Sequence, residues 1–456
     1  MPTLQEHISA RTGARDPARV STMIVPWVLC AVFALALYYL APLAVNLYWI
    51  EVLRKTGIAV IAAVSLNIVN GFAGQFSMGH AGFMALGAYV GAAVTYYGSL
   101  LAHGSVGDPA FVAGGTGLML VGIGAGALVA ALAGYVVGLP SLRLRGDYLA
   151  IVTLGFGEII RVLLERTPPQ ISDAAEVRAA PLKALVSLNG SLGFRGVPDY
   201  ASNFWIWLFA AVTGVIAFRI KRSGTGRALL SIREDEIAAR AMGVNLTRYK
   251  IRAFVIAAAL GGVAGALSGH IGANPTPDAA GFQRSFDIII YVVLGGLGSI
   301  SGSALAAIVL ALFSEILRGP DSVLAGWPWW LVAGAVFAAA AFALRALHNA
   351  GWRVLLALAI MPPALIAFAA LAARLKAPPL EIDLATYRMP LYALMLILVM
   401  ILRPNGLFGV RELWELFGRD DSRSQRKGDG IVDAANIVAP NASTTGPLSP
   451  PQGGMP

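Results

Sequence analysis

The chain of 456 residues is 57% hydrophobic and 13% charged, with a formal net charge of +9. A soluble domain carries roughly a quarter charged residues, so this composition excludes an ordinary water-exposed globule and points to an all-α, polytopic transmembrane helical bundle. The basic residues sit in connections between apolar runs, where they set topology and argue against a nucleic-acid partner, and a lone Cys30 supports neither a disulfide framework nor a zinc site.

In chain order, residues 1–22 are polar and basic and read as a cytoplasmic N-terminal arm, and residues 23–410 form a transmembrane domain. Met23–Val45 is the first span, too long for a signal peptide, with Trp27, Tyr38, Tyr39, Tyr48 and Trp49 placed as interfacial anchors. A short second span, Gly57–Val69, runs into the Gly-rich stretch Asn70–His80 before Ala81–Leu100 resumes the helix. Gly117–Leu139 follows, closed by Pro140 and the basic pair Arg143 and Arg145, and Asp147–Leu164 is a fifth span. Residues 165–203 are the longest polar external segment, and Phe204–Ile220 returns to a charged island at Gly224–Arg252. Arg252–Ile271, Phe286–Ile300 and Ser303–Leu317 come next, then an apolar hairpin within 323–373 and a last span, Tyr387–Leu402. This makes about twelve helices. Alternation places every strongly basic connection inside, Arg54 and Lys55 excepted. Residues 411–456 are rich in Ser, Gly and Pro and read as a disordered cytoplasmic tail.

The island is the most polar part of the spanning region. From Arg227 to Met242, Leu and Ala recur at helical spacing with Arg233, Glu234, Asp235, Glu236 and Arg240 opposite, which predicts one amphipathic helix. Gly243 supplies its stop and Asn245–Thr247 reads as a turn. Nine basic residues against three acidic ones between Arg219 and Arg252 put the segment on the cytoplasmic side. A short helix held there between two spans is placed to dock onto a soluble partner.

Asn70–His80 (NGFAGQFSMGH) is too polar to face lipid, and irregular backbone at membrane depth requires burial in protein or a watery cavity. Gly71, Gly74 and Gly79 permit close approach, while Gln75, Ser77 and His80 offer hydrogen bonds to a polar solute. A helix N-terminus here would favour a carboxylate; the alternative is a break satisfied by neighbouring spans. Glu158 and Arg161 share one helix face of the fifth span and pair there, or reach the interface by snorkelling. Glycines four apart, such as Gly87 and Gly91 or Gly261 and Gly265, read as helix-packing positions. The scattered histidines lack ligand spacing, so no metal or cofactor is expected. No Walker A sequence occurs, so any ATP is bound by another chain.

Several of these stretches carry a resemblance. Glu236, Ala238, Ala239 and Gly243 are similar to the EAA loop of bacterial ABC importer permeases, and REDEIAARAMG as a whole resembles the branched-chain amino-acid permeases of the LivM type. GQFSMGHAGF, the Asp147–Arg161 stretch, Phe286–Gly302 and Tyr387–Gly409 continue it, so that it covers roughly residues 50–320 and 387–410; Gly319–Thr386 has no counterpart. The resemblance implies a permease subunit of an importer in the bacterial inner membrane. Its partners would be two ABC ATPase subunits, a second homologous permease and a periplasmic solute-binding protein, with lipid around it. Arg233, Glu234, Asp235, Glu236, Ala239 and Gly243 would then couple to the ATPase. Gly71, Gly74, Gln75, Ser77, Gly79, His80, Glu158 and Arg161 would line the substrate path. Relatives of this kind also serve urea, amides and small carboxylates. The competing class is an ion-coupled secondary transporter, for which Glu158 is the one intramembrane carboxylate with the required character.

Overall fold

The computed structural model describes residues 17–318, apart from 45, 105, 107–111, 142–146 and 273, together with Glu412. The hairpin expected at 323–373, the last span, the chain before residue 17 and the tail apart from Glu412 lie outside the described residues.

Thirteen α-helices and no strand occur among the described residues. They are α1 (Pro17–Ala44), α2 (Leu47–Asn67), α3 (His80–His103), α4 (Val112–Ser141), α5 (Asp147–Glu165), α6 (Ala174–Ala179), α7 (Pro181–Val186) and α8 (Asn203–Arg222). Then come α9 (Gly224–Glu234), α10 (Glu236–Ala241), α11 (Leu246–Ser268), α12 (Phe282–Gly295) and α13 (Ile300–Arg318). Among the described residues five segments are long and apolar enough to cross a membrane: α2 with its extension to Phe72, α3, residues 114–139 of α4, α8 and α11. The protein is therefore a helical membrane protein. The helix α5 starts at the expected Asp147 and ends one residue later than expected, at Glu165, but, with Asp147, Glu158, Arg161 and Glu165, is not among those five.

The second span begins ten residues earlier than its hydropathy suggests, at Leu47 rather than Gly57. Its first turns carry Tyr48, Glu51, Arg54 and Lys55, which hide the helix from an apolar-run search. Lys55 pairs with Glu51 one turn back at 2.9 Å, and Arg54 pairs with Asp199 of the long polar segment at 2.6 Å. The two cations that broke the topological rule thus lie beside carboxylates.

α2 runs through the centre, in contact with α8, α11, α12 and α13, and is buried along nearly all of Thr56–Asn67. α3, α4 and α11 pack closely on one another. The small-residue spacings explain how: a Cβ placed on Gly265 would lie 1.8 Å from the Met84 carbonyl oxygen, so these backbones are in direct contact. One apolar core joins these helices to α8 and α12.

Candidate functional site: two helix breaks and the arm that touches them

The expected interruption after the second span exists. α2 ends in a π turn, Ile68–Phe72, and irregular backbone runs from Ala73 to Gly79, the N-cap of α3. A π turn removes the i→i−4 register, and the loop that follows must satisfy its own polar groups. It does so inside the protein: Gln75 N donates to the Val69 carbonyl at 3.1 Å, Ser77 N to Asn70 Oδ1 at 3.1 Å, and Met78 N to Thr153 Oγ1 of α5 at 3.0 Å. Gly74 takes φ +66°, a conformation glycine adopts without cost.

A second interruption lies beside it. Between α12 and α13 the chain passes through Gly296–Ser299 with φ +112° at Gly296. Asn67, in the last turn of α2, holds the two breaks together: its Oδ1 accepts from Gly298 N at 2.9 Å and its Nδ2 donates to the Ser299 carbonyl at 2.8 Å. The approach is so close that a Cβ on Gly71 would lie 2.4 Å from Gly298 N.

The arm between α8 and α11 is where the structure departs from the expected single helix. Asp235 is extended (φ −156°, ψ 116°) and divides the arm into α9 and α10. Its carboxylate accepts from Ile237 N at 2.7 Å and Ala238 N at 3.0 Å, an N-cap that starts α10 afresh. Ser223 and Asn245 cap α9 and α11 in the same way. Gly243 takes φ +82° and ends α10, but Asn245 opens a helix directly, so α11 begins at Leu246. Ala239 packs with Ile232 and Leu246, while Ile237 and Met242 are exposed at 78% and 85%. Glu236 Oε1 accepts from Lys250 Nζ, itself buried in α11, at 2.6 Å. Glu234 is exposed.

The geometry joins arm and breaks through Arg233. Its Nη1 donates to the Gly71 carbonyl at 2.8 Å and to the Leu297 carbonyl at 3.3 Å, one acceptor in each break. Lys221, near the end of α8, donates to the Gly298 carbonyl at 2.8 Å and pairs with Glu412 at 2.5 Å. Glu412, 2% exposed, accepts further from Ile300 N at 3.1 Å, Ser301 N at 3.0 Å and Ser301 Oγ at 2.7 Å, so it caps the first turn of α13. Nothing in the sequence marked Lys221, Asn67 or Glu412, whose partners lie far away along the chain.

Of the expected path residues, Gly71, Gln75, Ser77, Gly79 and His80 are buried at the first break, and Gly74 is exposed. His80 bonds Ser65 Oγ at 2.7 Å, and Gly261 of α11 lies against its ring. Asn70 Nδ2 and Gln75 Oε1 are buried and have no hydrogen-bond partner among the described residues, a donor and an acceptor in the same irregular segment. Glu158 and Arg161 stand apart on α5: Arg161 bonds Glu158 at 2.7 Å and also Glu165, forming a partly exposed triad with no hydrogen bond to residues 70–80. Among the described residues no three His, Cys, Asp or Glu side chains gather as a metal site.

A helical membrane protein with interrupted helices at its centre and a capped, polar arm between two spans has the build of a transport permease. Residues 48–336 match the family described as branched-chain amino acid transport system / permease component, and the chain belongs to that family. The high-affinity branched-chain amino acid transport system permease protein LivM of Salmonella typhimurium is 36% identical over 306 residues, 63% of this chain and 68% of that protein. LivH of Escherichia coli K12, a permease protein of the same kind of system, is 35% identical over 108 residues, 24% of this chain and 34% of its own length. The fructose import permease protein FrcC of Rhizobium meliloti is 29% identical over 210 residues, 44% and 55% of the two chains. No solved structure matches the chain.

Proposed function

We propose that this chain is the transmembrane permease subunit of an ATP-driven ABC importer that carries branched-chain or related amino acids across the bacterial inner membrane. It would work with two separate ATPase subunits, a second homologous permease and a periplasmic solute-binding protein. The observation that carries the reading is the arm: a capped pair of short helices whose outer side offers Ile237 and Met242 and whose inner side is bonded to both helix breaks. Arg233, Glu234, Asp235, Glu236, Ala239 and Gly243 form the coupling element. Asp235 and Gly243 set its shape, and Ala239 and the Glu236–Lys250 pair fasten α10 to α11.

The solute passes the first break, where Gly71, Gly74, Gln75, Ser77, Gly79 and His80 lie, with Glu158 and Arg161 at its flank. Asn70 Nδ2 and Gln75 Oε1 support this assignment, because a buried donor and acceptor left unpaired cost stability that a polar solute with both groups would recover. An amino acid is such a solute, with a carboxylate to accept and an ammonium to donate.

The test is purification of the tagged protein from native membranes under mild detergent, followed by reconstitution. We expect two ATPases and a second permease to accompany it, and uptake of leucine, isoleucine or valine to require ATP and the binding protein. A protein that purifies alone and moves solute on an ion gradient refutes the assignment.

A further inference from the structure

Arg233 occupies a position that docking to a partner does not explain. It belongs to the arm, yet its guanidinium is turned inward onto main-chain oxygens 162 and 64 residues away in sequence. Both oxygens belong to backbone that has left regular helix, where carbonyls lack the amide donors a continuous helix supplies. The neighbouring acids do not hold it. Asp235 is spent on capping α10, Glu236 is held by Lys250, and among the described residues no ion pair includes Arg233. The stem is fitted too: a Cβ on Gly74 would lie 2.9 Å from Arg233 Cγ, so the loop passes over the side chain with no room for anything larger than glycine.

A planar, permanently charged guanidinium reaches two acceptors at once in a fixed geometry, and its bonds are stronger than those of a neutral donor. The two breaks are already bonded to each other through Asn67, so a force applied at Arg233 acts on one connected unit. We infer that Arg233 is the transmission pin of the permease: it converts displacement of the α9–α10 arm into movement of both helix breaks. It is a positioning residue, since it reaches the path only through the Gly71 and Leu297 carbonyls. Coupling between two sites is reciprocal, so a solute at the break also biases the arm. The inference rests on the importer reading given above.

The test uses the complete complex in proteoliposomes and reads solute imported per ATP hydrolysed. Relative to wild type, Arg233→Met is expected to lower that ratio by about tenfold or more, within the range of coupling factors between linked sites, whatever the rate of hydrolysis. Arg233→Lys, with a single ammonium in place of the fork, is expected to recover part of it. A wild-type ratio in Arg233→Met overturns the pin, as does a variant complex that loses its ATPases, which would make Arg233 a docking or folding residue. A second measurement needs no substitution: hydrogen exchange of the wild-type complex with and without a non-hydrolysable ATP analogue. Peptides covering residues 67–80 and 294–303 are expected to change protection together with 224–243, and an arm that changes alone refutes the inference. If wild type shows no ATP-dependent uptake, the importer reading falls first and the pin with it.

Discussion

The two ends of this bundle are fastened by different physics. At one end Arg233 and Lys221 reach carbonyls of two helix breaks, and Glu412 the first amides of α13, through charged hydrogen bonds. At the other, residues 166–202 are laid on α3 by aromatic packing: Tyr96, Tyr97 and Phe194 stack edge to face, with ring centroids 5.3 to 5.9 Å apart. Tyr97 OH donates to the Ser187 carbonyl at 2.6 Å, and Gln170 exchanges two hydrogen bonds with the backbone of Arg195. Directional bonds to a few oxygens transmit displacement, because moving one partner moves the other or breaks the bond. Broad apolar contact holds a segment in place but yields in many directions. The first end is thus tied by a few directional bonds, the second by apolar area.

The contrast has measurable limits. Phe194 is wholly buried, and Phe194→Ala is expected to remove about 3–5 kcal/mol of stability, read as a large fall in Tm in detergent. The folded fraction is expected to keep its solute-to-ATP ratio; a lost ratio would show that the apolar end also transmits. Next in size is Glu412→Gln, at about 2 kcal/mol at neutral pH, the scale of a lost charged hydrogen bond. Burial pushes the Glu412 carboxyl up, but the bonds from Lys221, Ser301 and the Ile300 amide outweigh it and hold the group below the usual glutamate range. A folded pKa below the unfolded one makes this stabilisation complete above about pH 4.3, and it is lost as the pH falls through the depressed value. Wild type and Glu412→Gln are therefore expected to differ in Tm at pH 7 and to converge in strong acid. Smallest is Asp199→Asn, which breaks the half-exposed pair with Arg54 and is expected to cost under about 1 kcal/mol, an effect that salt erases.

Much of the membrane architecture was legible because hydropathy and glycine content act locally. The break at Asn70–His80 announced itself as polar, glycine-rich sequence inside an apolar run, and α5 fell within one residue of its expected bounds. The start of α2 was hidden because Glu51, Arg54 and Lys55 look like a loop until Asp199 is beside them. The division of the arm at Asp235 had a signal, an Asp followed by Glu-Ile-Ala, which is N-cap chemistry; the continuous amphipathic pattern outweighed it. Helical periodicity reports which face is apolar, and two short helices can share a face. The inward turn of Arg233 had no signal at all, since carbonyl partners are the same at every residue and only the fold chooses among them.

The cap on α13 bears on how the protein is made. Lys221 and Glu412 are separated by 191 residues, and the Lys221 side chain is 15% exposed in the finished fold. At a synthesis rate of about 5–20 residues per second, roughly 10–40 s pass between the two leaving the ribosome. Throughout that interval α8 carries a cation whose carboxylate does not yet exist. The Lys221–Glu412 pair and the cap on the first turn of α13 can therefore form only after residue 412 has been made, so this corner of the fold closes late in synthesis.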